Sequence, residues 1–470
     1  MWSDILFSMR QELAVTVILF LLLFIKIGVP GYRTESLLRL VNLLLTVNLL
    51  LGFLPAPDAV LFNGMFHSNG MIVLEKNILN LGTLIVSLLA YDWLKDHRQA
   101  PEFYLLLLAT LAGFFFMISS GHMLLFYLGL ELSTIPLTAL SGFDLDKRQS
   151  SEAGMKFILS SAFSSALLLF GISLLYGATG TLSFDAIPRH LDGSAFQLFA
   201  FILILSGFAF KVSVVPFHLW TADVYEGSPV AVTAYLSVIS KGAVFFIFVQ
   251  TLYTVFRPMA DTWYRIIVLL SVLTMLTGNL FALRQNKIKR LLAFSSIAQS
   301  GFILAGITGS SRSGDASVIY FILIYVFSNL GAFGVVSLIS ARTGKENIDD
   351  YKGLYSTNPL LSWVMAISFF SLAGIPPTAG FFGKFFLLMA GAGKGNYIFI
   401  IIAALNMILS LYYYLRVIKV IFMDSQPQPI ARQKIPLMPN IAFILCLIGI
   451  LVTGLAGWVY DYIYSLSIGF

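Results

Sequence analysis

The chain of 470 residues is 58% hydrophobic and 11% charged, with a mean hydropathy of +0.88, more apolar surface than one water-soluble core can hide. That excludes a soluble globular domain, and it means the net charge of +6 must be read loop by loop, not as a nucleic-acid surface. A single cysteine, Cys446, excludes an internal disulfide and leaves too few thiolates for an iron–sulfur cluster on this chain.

A helix needs roughly 20 apolar residues to cross about 30 Å of hydrocarbon. Fourteen such windows follow one another: 13 to 29, 37 to 54, 77 to 94, 103 to 120, 122 to 141, 154 to 177, 196 to 225, 229 to 252, 263 to 282, 290 to 308, 317 to 341, 360 to 389, 397 to 422 and 438 to 460. No short alternating strands of a barrel appear, so an all-α polytopic membrane protein of about 14 transmembrane helices is expected. The first window lacks a small-residue cleavage site and reads as a spanning helix, with Met1 starting the mature chain. Helix breakers fall between windows, at Pro30-Gly31, Pro55-Ala56-Pro57, Gly180, Gly227-Ser228-Pro229 and Gly391 to Gly395. Charge supports the count: the odd-numbered loops carry 19 Lys and Arg, the even-numbered loops with both termini carry 7, and Lys211, Lys241 and Lys384 are intramembrane. The positive-inside rule makes the first side cytosolic and places both termini outside.

The seventh and twelfth windows each run to 30 residues and each contains proline, Pro216 in one and Pro376-Pro377 in the other. Proline removes a backbone donor and clashes with the carbonyl four residues back, so both helices should be broken. Five positions apart in the series, they run in opposite directions. They fit the fourth members of two inverted five-helix repeats, residues 103–252 and 263–422, after an N-terminal three-helix segment in 1–100 and before a last helix in 438–470.

Glu131, Lys211, Lys241 and Lys384 are the ionisable residues deep in the windows, and intramembrane charges mark functional sites by default. A lone carboxylate there would be protonated, so Glu131 is expected to pair with Lys211, although a fixed ion pair serving only assembly is the plainer reading. Three lysines for one carboxylate leave two without a partner, and desolvation favours the neutral form that lets a lysine pass protons. Thr233, Ser237, Ser240, Ser295, Ser296, Gln299, Ser300, Ser328 and Asn329 can connect lysines or simply bond between helices. His218, behind Pro216, is a secondary candidate for bridging protons, or else it bonds freed carbonyls. Glu152 is an entry group or an ordinary acid near a helix N-terminus. Asp223 and Glu226 give loop 7 acid without base, either a proton-collecting mouth or, as is expected here, a solvated loop. Gly391 to Gly395 lacks the spacing of a phosphate loop and reads as a hairpin; no nucleotide, flavin or metal motif appears.

The run FKVSVVPFHLWTADVYEGSPVAVTAYLSVISKGA, with LGLELSTIPL, SSEAGMKF, NKIKRLLAFSSIAQSG and LAGIPPTAGFFGKF, resembles the antiporter-like subunits of the proton-pumping NADH:quinone oxidoreductase, respiratory complex I, over residues 75 to 420 or so. The resemblance places that family's helix 5 glutamate on Glu131, its helix 7 and helix 8 lysines on Lys211 and Lys241, and its helix 12 basic residue on Lys384. A lysine at the last position favours the N type, as does the lack of a long lateral helix after the last window. The first three helices imply a bacterial form. The function implied is proton translocation through a buried Glu/Lys relay, driven by quinone reduction elsewhere in the complex, with no redox centre here. Also implied are NADH, flavin, iron–sulfur clusters and quinone on other subunits, and sister antiporter-like subunits, a small neighbouring membrane subunit and lipids as partners. The expected location is the bacterial cytoplasmic membrane, with both termini periplasmic. A subunit of a multisubunit cation/proton antiporter and a structural membrane-arm subunit are the alternatives.

Overall fold

The computed structural model describes residues 2–28, 31–55, 58–309 and 312–467. Pro30, Ala56 and Pro57 of the expected turns, Val29 of the first window, and Met1 lie outside them. The spanning helices are α1 (Arg10–Gly28), α2 (Thr34–Leu51), α3 (Gly70–Leu94), α4 (Ala100–Ile118), α5 (Met123–Ser141), α6 (Arg148–Thr179), α8 (Val230–Val255), α9 (Ala260–Leu283), α10 (Ile288–Ile307), α11 (Arg312–Thr343), α13 (Tyr397–Phe422) and α14 (Leu437–Leu455). Two more are broken: α7 into α7a (Ala195–Lys211) and α7b (Leu219–Gly227), and α12 into α12a (Pro359–Ala373) and α12b (Ala379–Ala392). Among the described residues, twelve helices are long and apolar enough to cross a membrane, and the two broken ones complete the expected fourteen. A short antiparallel hairpin, Ala59–Leu61 with Phe66–Ser68, lies in the connection before α3, a departure from all-helical structure that the windows did not show. Of the Gly391 to Gly395 stretch, Gly391 and Ala392 still belong to α12b, and the chain turns from Gly393 into α13 with Gly395 at φ +74.

Side chains close the helix ends. Asn69 accepts from the Ile72 N–H to start α3, Ser194 from Gln197 to start α7a and Asn396 from Phe399 to start α13. Gly180 ends α6 and Gly374 ends α12a in the left-handed conformation that glycine adopts without penalty. Helices α3, α8, α10 and α11 are apolar nearly all round and almost wholly buried, so they form the core, while α1, α2, α6, α9 and α13 line the outside.

Matching glycines close the helix pair that opens each repeat. A Cβ on Gly113 of α4 would stand 2.5 Å from the Ser133 nitrogen of α5, and one on Gly278 of α9 would stand 2.5 Å from the Ala298 nitrogen of α10. Small residues let membrane helices approach this closely. Gly278→Ala is expected to destabilise the protein by about 1–3 kcal/mol, because backbone cannot yield to the added methyl. A thermal unfolding midpoint in detergent equal to that of the wild type would show that the two helices can part.

Arg10 donates to the carbonyls of Leu51 and Leu54, Arg312 donates to those of Tyr464 and Ser465, and a Cβ on Gly70 would touch Leu466 at 3.1 Å. Both ends of the described chain therefore lie at the face where α3 and α11 begin. Just inside that face, Lys76 Nζ meets Glu12 Oε1 at 2.5 Å, each side chain 1% exposed. The hydropathy windows missed this pair because they open at residues 13 and 77, immediately after each charge, whereas the helices begin earlier. Glu75, Lys289 and Asp315 are also buried, so the four ionisable residues singled out above are not the whole buried set.

Candidate functional site: a buried line of lysines

At the break in α7, Ser213 takes a left-handed φ of +61, and side chains satisfy the released backbone: Trp220 Nε1 donates to the Phe210 carbonyl at 3.0 Å, and the Val215 N–H donates to Thr274 Oγ1 at 3.1 Å. Lys211 is the last residue of α7a, where the helix dipole favours a cation. Its Nζ donates to Thr134 Oγ1 of α5 and Ser161 Oγ of α6, each at 2.8 Å.

The expected Glu131–Lys211 contact pair is not formed. Glu131 lies one turn before Thr134, and it is the threonine hydroxyl that reaches the lysine. Glu131 is half-buried on a flank of α5 shared with exposed Leu128, Leu132 and Ile135, and its Oε1 has no hydrogen-bond partner among the described residues. The carboxylate and the amine interact only through space.

Lys241 follows a π-helical turn, Leu236–Ser240, inside α8. Such turns recur at functional sites because they re-aim one side chain without ending the helix. Its Nζ donates to Ser296 Oγ of α10 at 2.7 Å and lies 5.8 Å from the centre of the Tyr225 ring. Between Lys211 and Ser240, the residue before Lys241, lies a cavity of about 10 Å³ lined also by Ser133 and Thr134, close to the smallest that holds one water.

From Ser296 the polar line continues along α10. One turn on, Gln299 Nε2 donates to the Leu372 carbonyl at 3.1 Å, and Lys384 Nζ donates to the same oxygen at 2.7 Å and to Ala373 O at 3.3 Å. Those carbonyls belong to the last turn of α12a, freed by the break. Ser371 Oγ ties the two halves of α12 together, accepting from the Gly380 N–H at 3.1 Å and from Ser328 Oγ of α11 at 2.7 Å. Thus both broken helices present a lysine to the middle of the bundle, with Lys241 between them, and Lys211, Lys241 and Lys384 are 8%, 3% and 0% exposed.

The secondary candidates lie off this line. His218 is half-buried just before α7b, its Nδ1 without a hydrogen bond among the described residues, and it feels the charge of Lys241. Glu152 is 57% exposed and pairs with Lys156 at 2.8 Å. Lys156 also reaches Asp223 at 2.9 Å, Arg290 joins Asp223 at 3.1 Å to Glu226 at 2.6 Å, and Lys287 holds Glu226 at 2.6 Å. Asp223 and Glu226 therefore do not form a solvated loop. They lie on α7b, clamped by bases from α6, α10 and the turn before α10, which loop-by-loop counting could not see. Beside the clamp a polar cleft of about 520 Å³ opens, lined by His97, Asp144, Glu226, Lys289 and Glu346. Deeper along α8, Asn329 Nδ2 donates to Ser237 Oγ at 2.9 Å, one turn short of Lys241.

Residues 120–410, which include Glu131 and the three lysines, match the family described as NADH:quinone oxidoreductase/Mrp antiporter, TM. The chain belongs to that family. Among its relatives, NADH-quinone oxidoreductase subunit N of Phocaeicola vulgatus is 46% identical, over 98% of this chain and 98% of its own length. NAD(P)H-quinone oxidoreductase subunit 2 of a Synechocystis species is 37% identical, over 88% of this chain and 82% of its own. In solved structures, a chain of respiratory complex I from Thermus thermophilus with bound aureothin superposes with a TM-score of 0.81 at 28% identity, covering 96% of this chain and 98% of that one. A chain of the Mrp complex from a Dietzia species shares the fold, with a TM-score of 0.86 at 22% identity over 98% and 96%.

Within this antiporter-family chain, sequence reasoning passed over Thr134 and Ser161, the partners of Lys211, and Tyr225 and Tyr325, whose hydroxyls lie beside Ser296. A hydroxyl one turn after a buried acid, or halfway along the next apolar window, was the available signal. It is weak, because membrane helices use Ser and Thr for ordinary packing as well.

Proposed function

We propose that this chain is a proton-translocating membrane subunit of an NADH:quinone oxidoreductase in a bacterial cytoplasmic membrane, working through Lys211, Lys241 and Lys384. One observation carries the reading: among the described residues, no carboxylate contacts any of the three buried amines, and each donates to neutral hydroxyl or carbonyl oxygens. A carboxylate in contact would lock the proton in place, whereas neutral oxygens leave protonation to be set by surrounding charge. The names of the relatives supply the complex in which it works.

In this reading a proton enters from the polar cleft near Glu226 and reaches Lys241 past Ser237 and Asn329. The small cavity beside Thr134 joins Lys211 to Lys241, and Ser296, Gln299 and the Leu372 carbonyl join Lys241 to Lys384. Glu131, reached from the flank of α5, tunes Lys211 through space, so a neighbouring membrane subunit can signal by changing the charge there. NADH, flavin, iron–sulfur clusters and quinone belong to other subunits, and the lysine-rich loops face the cytosol, leaving both termini outside.

The test is to purify the assembly holding this chain, identify its subunits, and measure NADH:quinone turnover with proton uptake in sealed vesicles. Lys211→Ala should assemble yet lose most coupled uptake. Full pumping stoichiometry in an assembled Lys211→Ala complex would sink the relay, and sodium-dependent transport without quinone reductase activity would move the chain to the antiporter class.

A further inference from the structure

Between Lys241 and Lys384 the polar line changes its chemistry. Ser296 Oγ receives the Lys241 amine, and the next links are the Gln299 amide and the Leu372 carbonyl. A proton hop needs an atom that accepts one proton as it gives up another. A hydroxyl oxygen does both, whereas an amide nitrogen only donates and a carbonyl oxygen only accepts. Gln299 and Leu372 therefore fix the geometry of this link without moving a proton themselves.

Buried phenols stand beside it. Tyr325 of α11 and Tyr414 of α13 are 4% and 0% exposed. The Tyr325 hydroxyl lies beside Ser296 and within electrostatic reach of Tyr414. Tyr414 Oη shares a hydrogen bond with Ser295 Oγ and accepts from Gln299 Nε2 at 3.3 Å. Gln299 Nε2 and the Leu372 oxygen separate it from the Lys384 amine, a span that one bridging water or the swing of the lysine's flexible stem can close. A buried tyrosine normally spends its O–H on a partner. Among the described residues Tyr325 closes no hydrogen bond, although Ser296 is beside it. Tyr413, the neighbour of Tyr414, shows the ordinary packing role instead, donating to Asn279 Oδ1 of α9 at 3.1 Å.

We propose that the hydroxyls of Tyr325 and Tyr414 carry protons from Ser296, which holds Lys241, to Lys384. This role rests on the relay reading above. In one passage an N–H bond of Lys241 breaks and an N–H bond of Lys384 forms, while each hydroxyl between them gains one proton and loses another. The phenols return unchanged apart from a rotation of their O–H bonds, and no other reactant is consumed.

Variants of the whole complex in sealed vesicles test it, with NADH-driven proton uptake as the readout. Tyr325→Phe and Tyr414→Phe keep the rings and remove the hydroxyls, and each should lower coupled uptake by at least about tenfold. Tyr413→Phe removes a buried hydroxyl outside the chain and should pump as the wild type does. An equal loss in Tyr413→Phe would show that removing a hydroxyl acts here through packing, and would overturn the link. If the Tyr325→Phe, Tyr414→Phe double variant pumps fully while Lys241→Met does not, the relay stands and the tyrosine link is wrong. If Lys241→Met also pumps fully, the relay reading has failed as well. Should the phenylalanine variants not assemble, replacing Tyr325 by 3-fluorotyrosine keeps the ring and a more acidic O–H. The uptake rate should then change by at least about twofold, because proton transfer follows the acidity of the group that carries it; an unchanged rate would overturn the link.

Discussion

Lys241→Met is expected to assemble normally and to pump no protons. Methionine keeps most of the lysine volume, and swaps that conserve volume in a packed core cost under about 1.5 kcal/mol. The hydrogen bonds lost are replaceable, since the Ser296 carbonyl still accepts from Ser300 Oγ at 3.1 Å. Removing a charge from the membrane interior also relieves a desolvation cost of about 3 kcal/mol on insertion scales. Stability should therefore be unchanged or slightly higher while function is lost, a combination that a structural role for Lys241 cannot produce. Positioned proton-transfer groups contribute roughly 10²–10⁴-fold to the steps they serve, so coupled turnover should fall at least about a hundredfold. Proton uptake per NADH in sealed vesicles, measured beside the thermal midpoint in detergent, decides it.

Lys76→Ala should carry the largest stability effect. It strands the carboxylate of Glu12 at 1% exposure, where, among the described residues, Oε2 already lacks a hydrogen-bond partner and Oε1 keeps Ser119 at 3.4 Å. Removing one member of a buried ion pair costs about 3–5 kcal/mol. The damage should centre on the joint between α1, α2 and α3, because the adjoining bonds, Gln11 to Asn77 at 2.7 Å and Asn80 to the Leu45 carbonyl at 3.0 Å, cross the same seam. The double variant Glu12→Met, Lys76→Met should recover most of the loss, since replacing both partners by apolar groups of similar volume is often neutral. Comparing detergent melting of the single and double variants separates a stranded charge from lost packing. Equal destabilisation in both would show that the ion pair itself holds the joint.

How far the sequence could be read depended on the kind of information each feature needs. Crossing a membrane is decided by a helix's own composition, so the fourteen spans were countable from hydropathy, and the charge bias of the loops checked the count. Pro216 and Pro376-Pro377 broke their helices through their own covalent geometry, with no neighbour required. Lys211, Lys241 and Lys384 stood out because an intramembrane charge is rare anywhere.

Partnership was different. Whether Lys211 meets Glu131 or Thr134 turns on how α5 and α7a are rotated against each other, one helical turn being enough to exchange a carboxylate for a hydroxyl. Asp223 and Glu226 are acids without bases in their own loop, yet Lys156, Lys287 and Arg290 arrive from elsewhere in the chain. Glu12, Glu75, Lys76 and Asp315 stand where the hydrophobic windows were cut, and only packing shows that the cut points are buried. By itself the sequence determined the number of crossings, the two broken helices and the lysines within them, because these follow from residues acting on their own segment. Tertiary structure alone decided which oxygens receive each lysine's protons and where the remaining buried acids face, because a side chain's partner is set by the helix packed against it.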